Sequence, residues 1–204
     1  MSHETSKASG GLFDGLAGPL IANVMARANR DAEVEAVERL DPAAGAHVLA
    51  IGFGAGVGIE VLFQHMARGR VTGVDPSQAM VKAAGRRNRA ALAEGRLVLA
   101  RTTAASIPVA SAIFDGAIAV NSLQLCGPFG ATAAELGRTM KSGARLVSLT
   151  HDWAILRHAP SIEAWTKGVL DALTAAGFIE GRSFLGRAEK GRSVALVARR
   201  GAAT

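Results

Sequence analysis

Residues 48–58 read VLAIGFGAGVG, an apolar run that passes directly into a loop in which every second residue is glycine. The apolar run predicts a buried strand over His47–Ile51, and the periodicity after the loop predicts a helix to about Met66. A glycine-rich turn between a strand and a helix is where an open α/β sheet binds its ligand. Glycine suits this place because a Cβ atom would hold a ligand away from the backbone.

An acidic residue, Asp75, follows about 20 residues beyond the loop, at the end of the next predicted strand. Its carboxylate can accept hydrogen bonds from both hydroxyls of a ribose. A dinucleotide-binding loop needs glycine at its first, third and sixth positions. The sixth position is Val57 when counted from Gly52, and it is Ile59 when counted from Gly54. The spacing therefore disfavours a nicotinamide-dependent oxidoreductase and favours a ligand that has no pyrophosphate.

Short apolar runs alternate with helical segments along the chain. Strands are predicted at His47–Ile51, Arg70–Asp75, Leu97–Arg101, Phe114–Val120 and Ala144–Thr150, with a closing pair that includes Ser193–Ala198. Further helices are predicted over 31–40, from Ser77 to about Ala93, over 131–140 and over 161–176. This pattern predicts an α/β fold with a doubly wound, mostly parallel seven-stranded sheet and helices on both faces, a Rossmann-like arrangement. We expect residues 1–204 to be a single domain with its core at 46–200.

The composition limits which kinds of site the protein can have and where in the cell we expect it. With one cysteine, Cys126, the 204 residues form no internal disulfide and no cysteine-based zinc site, and no metal is predicted. The first residues lack a basic leader followed by an apolar run, and no apolar run reaches about 18 residues. We therefore expect a cytoplasmic protein that does not associate with membranes.

The net charge of +6 would suit an anionic partner. The basic residues, however, are spread along the chain, and the densest cluster, residues 86–89, falls on what is predicted to be an exposed part of a helix. Aromatic side chains on which bases stack are scarce, since the chain has two tryptophans and no tyrosine. A nucleic-acid partner is therefore disfavoured.

Four segments, each at the end of a predicted strand and in the right order, resemble the class I S-adenosylmethionine-dependent methyltransferases. They are LDP at 40–42 with VLAIGFG at 48–54, GVDPS at 73–77, IP at 107–108 with FDG at 114–116, and NSLQL at 121–125. The resemblance extends over most of the chain. It implies the cofactor S-adenosylmethionine, the product S-adenosylhomocysteine, and a helical lid formed by residues 1–40.

The resemblance also implies which residues bind the cofactor. They are Gly52, Phe53, Gly54 and Gly56 for the methionine and ribose portions, Asp75 for the ribose, Pro76, Met80, Thr103 and Ala104 for the adenine, and Asn121 and Ser122 for the methionine end near the methyl group. Two positions depart from the family, which usually has acidic residues where this chain has Ala50 and Thr103. The hydroxyl of Thr103 can still accept one hydrogen bond, although more weakly than a carboxylate.

Methyl transfer is an in-line displacement, for which the protein mainly holds donor and acceptor in alignment. A base is needed only when the acceptor must lose a proton. His151 follows the fifth predicted strand and is the candidate base, with Asp152 as a residue that orients it. The alternative is that His151 is a loop histidine without a catalytic role. For Cys126 the favoured interpretation is a small buried side chain.

A small-molecule acceptor is the first hypothesis, because the chain has little beyond the core that could grip a macromolecule. An RNA or protein methyltransferase is the alternative that the positive charge favours. Enzymes that methylate amino groups of nucleic acids carry a Pro-Pro pair after the fourth strand, but residues 121–124 read NSLQ. A cofactor-binding relic without catalysis is a third hypothesis, supported by Ala50 and Thr103.

The ribose assignment yields a direct prediction. Asp75→Ala removes the charged acceptor of the ribose hydrogen bonds and should weaken S-adenosylmethionine binding by about 1.5–3 kcal/mol. Isothermal titration calorimetry measures the effect, and unchanged affinity would contradict the assignment.

Overall fold

The computed structural model describes residues 30–187 and 191–202. The strands are β1 His47–Ile51, β2 Arg70–Val74, β3 Leu97–Ala100, β4 Phe114–Val120, β5 Met140–His151, β6 Phe178–Leu185 and β7 Ser193–Arg200. They form one seven-stranded sheet in the order β3-β2-β1-β4-β5-β7-β6. β1 to β5 pair in parallel, and β7 pairs antiparallel with β5 and β6. The predicted mostly parallel sheet is confirmed.

Helices connect the strands and cover both faces of the sheet. They are α1 Arg30–Leu40, α2 Val57–His65, α3 Gln78–Arg87, α4 Arg89–Ala93, α5 Phe129–Thr139, α6 Asp152–Ile155 and α7 Ile162–Ala175. A lid was predicted over residues 1–40. Its part up to residue 29 lies outside the described residues, and its last part is α1. None of the described helices is long and apolar enough to cross a membrane.

Alternate residues of the central strands enter two separate layers of the core. In β1, Val48 and Ala50 pack on the face covered by α1 and α2, whereas Leu49 and Ile51 pack on the face covered by α5 and α7. Successive side chains of a strand point to opposite faces, so a strand buried on both sides is apolar throughout. This is why β1 reads as a continuous apolar run.

Two elements differ in extent from their predictions. β5 begins at Met140 rather than at Ala144, because Met140 already pairs with Phe114 before a register shift interrupts the ladder. The helix predicted from Ser77 to about Ala93 is broken at Asn88 into α3 and α4. The side-chain amide of Asn88 hydrogen-bonds to a carbonyl oxygen of the preceding turn, which competes with regular helix bonding.

The sheet register brings the carboxyl ends of four strands to one edge. Ile51 lies beside Val74 of β2 and Ala119 of β4, and β5 continues this edge on the far side of β4. The glycine loop after β1, Asp75 after β2 and Asn121 after β4 therefore open on the same side of the molecule. This is the edge at which open α/β sheets bind their ligands.

The packing of helix α5 against the sheet can be tested by a substitution in the core. Leu136 on α5 is fully buried, so Leu136→Ala should lower the free energy of unfolding by about 2–5 kcal/mol. The control Leu156→Ala removes the same atoms from a side chain that is 55% exposed and should change it by less than about 1 kcal/mol. Urea unfolding of both variants measures the difference, and equal losses would contradict this packing.

Candidate functional site

The glycines of the loop after β1 serve different purposes. Gly52, Gly54 and Gly56 have φ values of +58°, +52° and +81°, which L side chains rarely adopt. A Cβ atom on Gly52 would come within 2.5 Å of Ser122, and one on Gly56 within 2.8 Å of Ala84. Glycine at these two positions therefore leaves room for neighbouring parts of the chain. Among the residues that the structure describes, a Cβ on Gly54 would meet nothing within 4 Å. Gly54 is therefore the residue at which the backbone is open to a ligand.

The carboxylate of Asp75 is fixed beside this open point. The backbone N–H of Gly54 donates to Oδ2 at 3.0 Å, and the backbone N–H of Ser77 donates to Oδ1 at 2.9 Å. Burial raises the pKa of Asp75, and these two hydrogen bonds oppose the rise. Because each carboxylate oxygen can accept more than one hydrogen bond, Asp75 keeps acceptor capacity for a diol.

The four residues expected at the adenine lie around the ends of β2 and β3. Pro76 and Thr103 are exposed, whereas Met80 and Ala104 are buried. The backbone N–H of Asp75 donates to the carbonyl oxygen of the last residue of β3 at 3.2 Å, which joins the two strand ends. Of the four predicted adenine residues, Pro76 and Thr103 are therefore the two with a free surface.

Asn121 and Ser122 follow β4 and link its end to both neighbours. The hydroxyl of Ser122 donates to the carbonyl oxygen of Ile51 at 2.8 Å, which ties β4 to the start of the glycine loop. Asn121 has a φ of +49° and turns its side chain toward β5. Its backbone oxygen accepts from the amide of Gln124 at 2.8 Å, and Oε1 of Gln124 is buried without a hydrogen bond in the described part of the chain.

His151 is the last residue of β5 and is almost completely buried. Oδ1 of Asn121 accepts from its backbone N–H at 2.9 Å, and the ring Nδ1 lies 3.0 Å from Nδ2 and 3.1 Å from Oδ1 of Asn121. Burial lowers the pKa of His151, although the charge of Asp152 acts in the opposite direction. Burial therefore favours the neutral form of the imidazole.

The residue that orients His151 differs from the expectation. The carboxylate of Asp152 lies 3.4 Å from Arg192 and makes no hydrogen bond to the imidazole within the described residues. Asn121 holds the ring instead. Neighbours in sequence at a strand end point in different directions, whereas residues that follow adjacent parallel strands meet. The pairing of Asn121 with His151 could have been found from the strand order.

Cys126 lies close to this group, and its surroundings suppress its reactivity. The thiol donates to the carbonyl oxygen of Ser122 at 3.4 Å. Burial raises the pKa of Cys126 to about 11. Because the thiolate is the reactive form, the side chain remains an unreactive thiol at neutral pH.

Two supports of the glycine loop were missed from the sequence. The three arginines of the basic cluster at residues 86–89 are exposed, as expected, but Asn88 is buried and its amide donates to the carbonyl oxygen of Gly56 at 3.0 Å. Arg87 donates to the carbonyl oxygen of Ala55 at 3.0 Å and lies 3.3 Å from Glu60. The only sequence signal was an uncharged polar residue between two arginines within a helical pattern.

Glu33 on α1 was also missed. Its carboxylate lies directly against Gly58, and both residues line a cavity of about 10 Å³ together with Ala50 and Gly52. Within residues 30–187 and 191–202, Glu33 makes no hydrogen bond or ion pair. Burial raises the pKa of Glu33 to about 8. A carboxyl group thus lies under the glycine loop without a partner among these residues.

Comparison with known proteins agrees with this fold. Residues 49–148, which run from β1 through β5, match the methyltransferase domain family. A crystal structure of an S-adenosylmethionine-dependent methyltransferase from Aquifex aeolicus superimposes with a TM-score of 0.73 at 16% identity, covering 89% of this chain and 98% of that chain. The fold of this chain is therefore that of an S-adenosylmethionine-dependent methyltransferase structure.

Two curated fungal proteins are similar in sequence. One is an O-methyltransferase of Pyrenophora dematioidea, 29% identical over 114 residues, which are 55% of this chain and 42% of that protein. The other is the O-methyltransferase resE of Aspergillus sclerotiorum, 28% identical over 127 residues, which are 62% of this chain and 47% of that protein. The matches span less than half the length of these relatives. The family match over residues 49–148 agrees with the class I S-adenosylmethionine-dependent methyltransferases that the sequence segments resemble.

The raised pKa of Glu33 predicts a pH-dependent stability. Between its ordinary value of 4.5 and about 8, folded protein keeps a proton that the unfolded chain has released. The free energy of unfolding contributed by Glu33 should therefore fall as the pH rises through this range. Glu33→Gln should gain stability relative to the wild type from pH 5 to pH 8 in thermal unfolding. The exposed Asp31→Asn is the control, and parallel curves for Glu33→Gln and the wild type would contradict the prediction.

Proposed function

We propose that this chain transfers a methyl group from S-adenosylmethionine to an oxygen atom of a small molecule. One observation carries the proposal: the Asp75 carboxylate is hydrogen-bonded to the N–H of Gly54 at the one point of the glycine loop that is open. A carboxylate beside an uncovered backbone turn suits a ribose that lies across the loop.

The residues of the site fit this cofactor. Gly54 offers its free backbone face, and Asp75 keeps lone pairs for the two ribose hydroxyls. The remaining cofactor-binding residues of the proposal are those expected from the resemblance: Gly52, Phe53, Gly56, Pro76, Met80, Thr103, Ala104, Asn121 and Ser122. The cofactor supplies an activated sulfonium methyl group, so that the protein has to align donor and acceptor rather than activate the donor.

Gln124 adds a sign of an incomplete site. Its buried Oε1 has no hydrogen bond in the described part of the chain, while its Nε2 is used by Asn121. A buried acceptor without a donor is costly. A hydroxyl or ammonium group arriving in the site would satisfy it, which supports a ligand close to Asn121.

An oxygen acceptor is supported by His151 and by the names of the two fungal relatives. A hydroxyl group is a poor nucleophile until it loses its proton, so a base increases the rate. When the imidazole carries its proton on Nδ1 and donates it to Oδ1 of Asn121, Nε2 keeps its lone pair. Nε2 makes no hydrogen bond within the described residues. His151 would then take the proton of the acceptor hydroxyl.

Replacement of His151 tests this function. Wild-type protein and His151→Gln are incubated with S-adenosylmethionine and a panel of phenols and alcohols, and products are quantified by mass spectrometry. We expect His151→Gln to lower kcat by about 10²–10⁴-fold while the Kd for S-adenosylmethionine stays unchanged. Because the pKa of His151 is lowered from 6.5, wild-type kcat should rise with pH with a midpoint below 6.5.

His158→Gln is the matched control, since His158 is exposed on the loop after α6 and should behave as wild type. Equal activity of His151→Gln and wild type would remove the base from the mechanism. Methylation of RNA or protein in place of the small molecules would favour a macromolecular acceptor. Cofactor binding without any product would favour a non-catalytic relic.

A further inference from the structure

We propose that Glu33 is a cofactor-binding residue whose carboxylate binds the ammonium group of the methionine portion of S-adenosylmethionine. The inference rests on the proposed function and extends it to the first turn of helix α1, which none of the sequence segments at 40–125 includes. It assigns a charged partner to the cofactor end that lies nearest the end of β1.

The position of Glu33 is set by three elements. The residue lies in the first turn of α1, and its carboxylate crosses to the first turn of α2, where it contacts Gly58. The cavity into which it projects is lined on the opposite side by Ala50 and Gly52 of the β1 end. Its volume of about 10 Å³ is close to the space that one small polar group or water occupies. The carboxylate therefore lies directly beneath the loop that the cofactor would cover.

Gly58 has no other evident reason to be glycine. It lies within α2, where glycine is unfavourable by roughly 0.5–1 kcal/mol relative to alanine, and it does not have a positive φ. A Cβ at Gly58 would overlap Oε2 of Glu33. The fourth glycine of the alternating loop sequence thus makes room for a carboxylate rather than for a turn.

Glu33 lacks a cation among the described residues, although α1 carries two. Arg30 lies 3.7 Å from Glu60, and Arg39 donates to Glu35 at 2.7 Å. Glu33 is half-buried, and a carboxylate that is partly removed from water is normally paired or hydrogen-bonded. Of the groups on S-adenosylmethionine, the ammonium is a compact cation with three N–H donors, so it can favour the ionised form of Glu33 and hydrogen-bond to that carboxylate.

Two ligands separate this contact from the rest of the site. S-adenosylhomocysteine carries the ammonium but no sulfonium, and 5′-methylthioadenosine keeps adenosine and sulfur but lacks the amino-acid portion. We expect Glu33→Gln to weaken S-adenosylhomocysteine binding about tenfold or more, as for loss of a charged hydrogen bond. Binding of 5′-methylthioadenosine should change by less than about twofold. Isothermal titration calorimetry on the full chain measures both.

Asp31→Asn is the matched control, because it removes one negative charge from the exposed side of the same helix turn and should leave both affinities unchanged. Glu33→Asp, which retains the charge on a shorter side chain, should recover part of the lost affinity. Thermal unfolding verifies that each variant is folded.

Equal losses for the two ligands in Glu33→Gln, or no loss for either, would overturn the assignment of Glu33 while the methyl-donor site itself stands. If the wild type binds neither ligand, the proposed function fails and the role of Glu33 fails with it. The two failures are therefore distinguishable in the same titrations.

Discussion

The hydrogen bond from the backbone of Gly54 to the carboxylate of Asp75 is the constraint on which the site depends. It joins the turn after β1 to the end of β2, so that neither can move without breaking a charge-assisted contact in a nearly buried place. The bond to Ser77 fixes the other oxygen of the same carboxylate. The sheet register alone would bring these segments near each other, but this contact sets their separation.

Two further buried polar contacts hold the glycine loop in place. Asn88 holds the carbonyl oxygen of Gly56, and Ser122 holds that of Ile51, so the loop is anchored at both of its ends. These partners come from the break between α3 and α4 and from the segment after β4. The turn is thus preorganised by neighbours on each side, and its one open residue is Gly54. A loop that is already held in one conformation loses little conformational entropy when a ligand binds.

Much of this arrangement could be predicted from residue order. The carboxyl ends of parallel strands meet at one edge, which is why Gly54, Asp75 and Asn121 were expected together. Contacts that depend on how helices pack could not be predicted in this way. Glu33 reaches the loop only because α1 lies against α2, and Asn88 only because α3 is broken beside it. Neither feature leaves a periodic trace in the sequence.

The backbone of Asn121 limits how the site can diverge in evolution. Its φ of +49° is tolerated by asparagine, aspartate and glycine far better than by other residues, and its side chain also meets the imidazole of His151. Few substitutions at this position would therefore be accepted during selection for a new acceptor. Trp153 and Arg157, which are exposed and stack on each other beside His151, are free of that backbone restriction. We therefore expect substitutions that change the acceptor preference to accumulate at Trp153 and Arg157, while Asn121 and His151 stay constant.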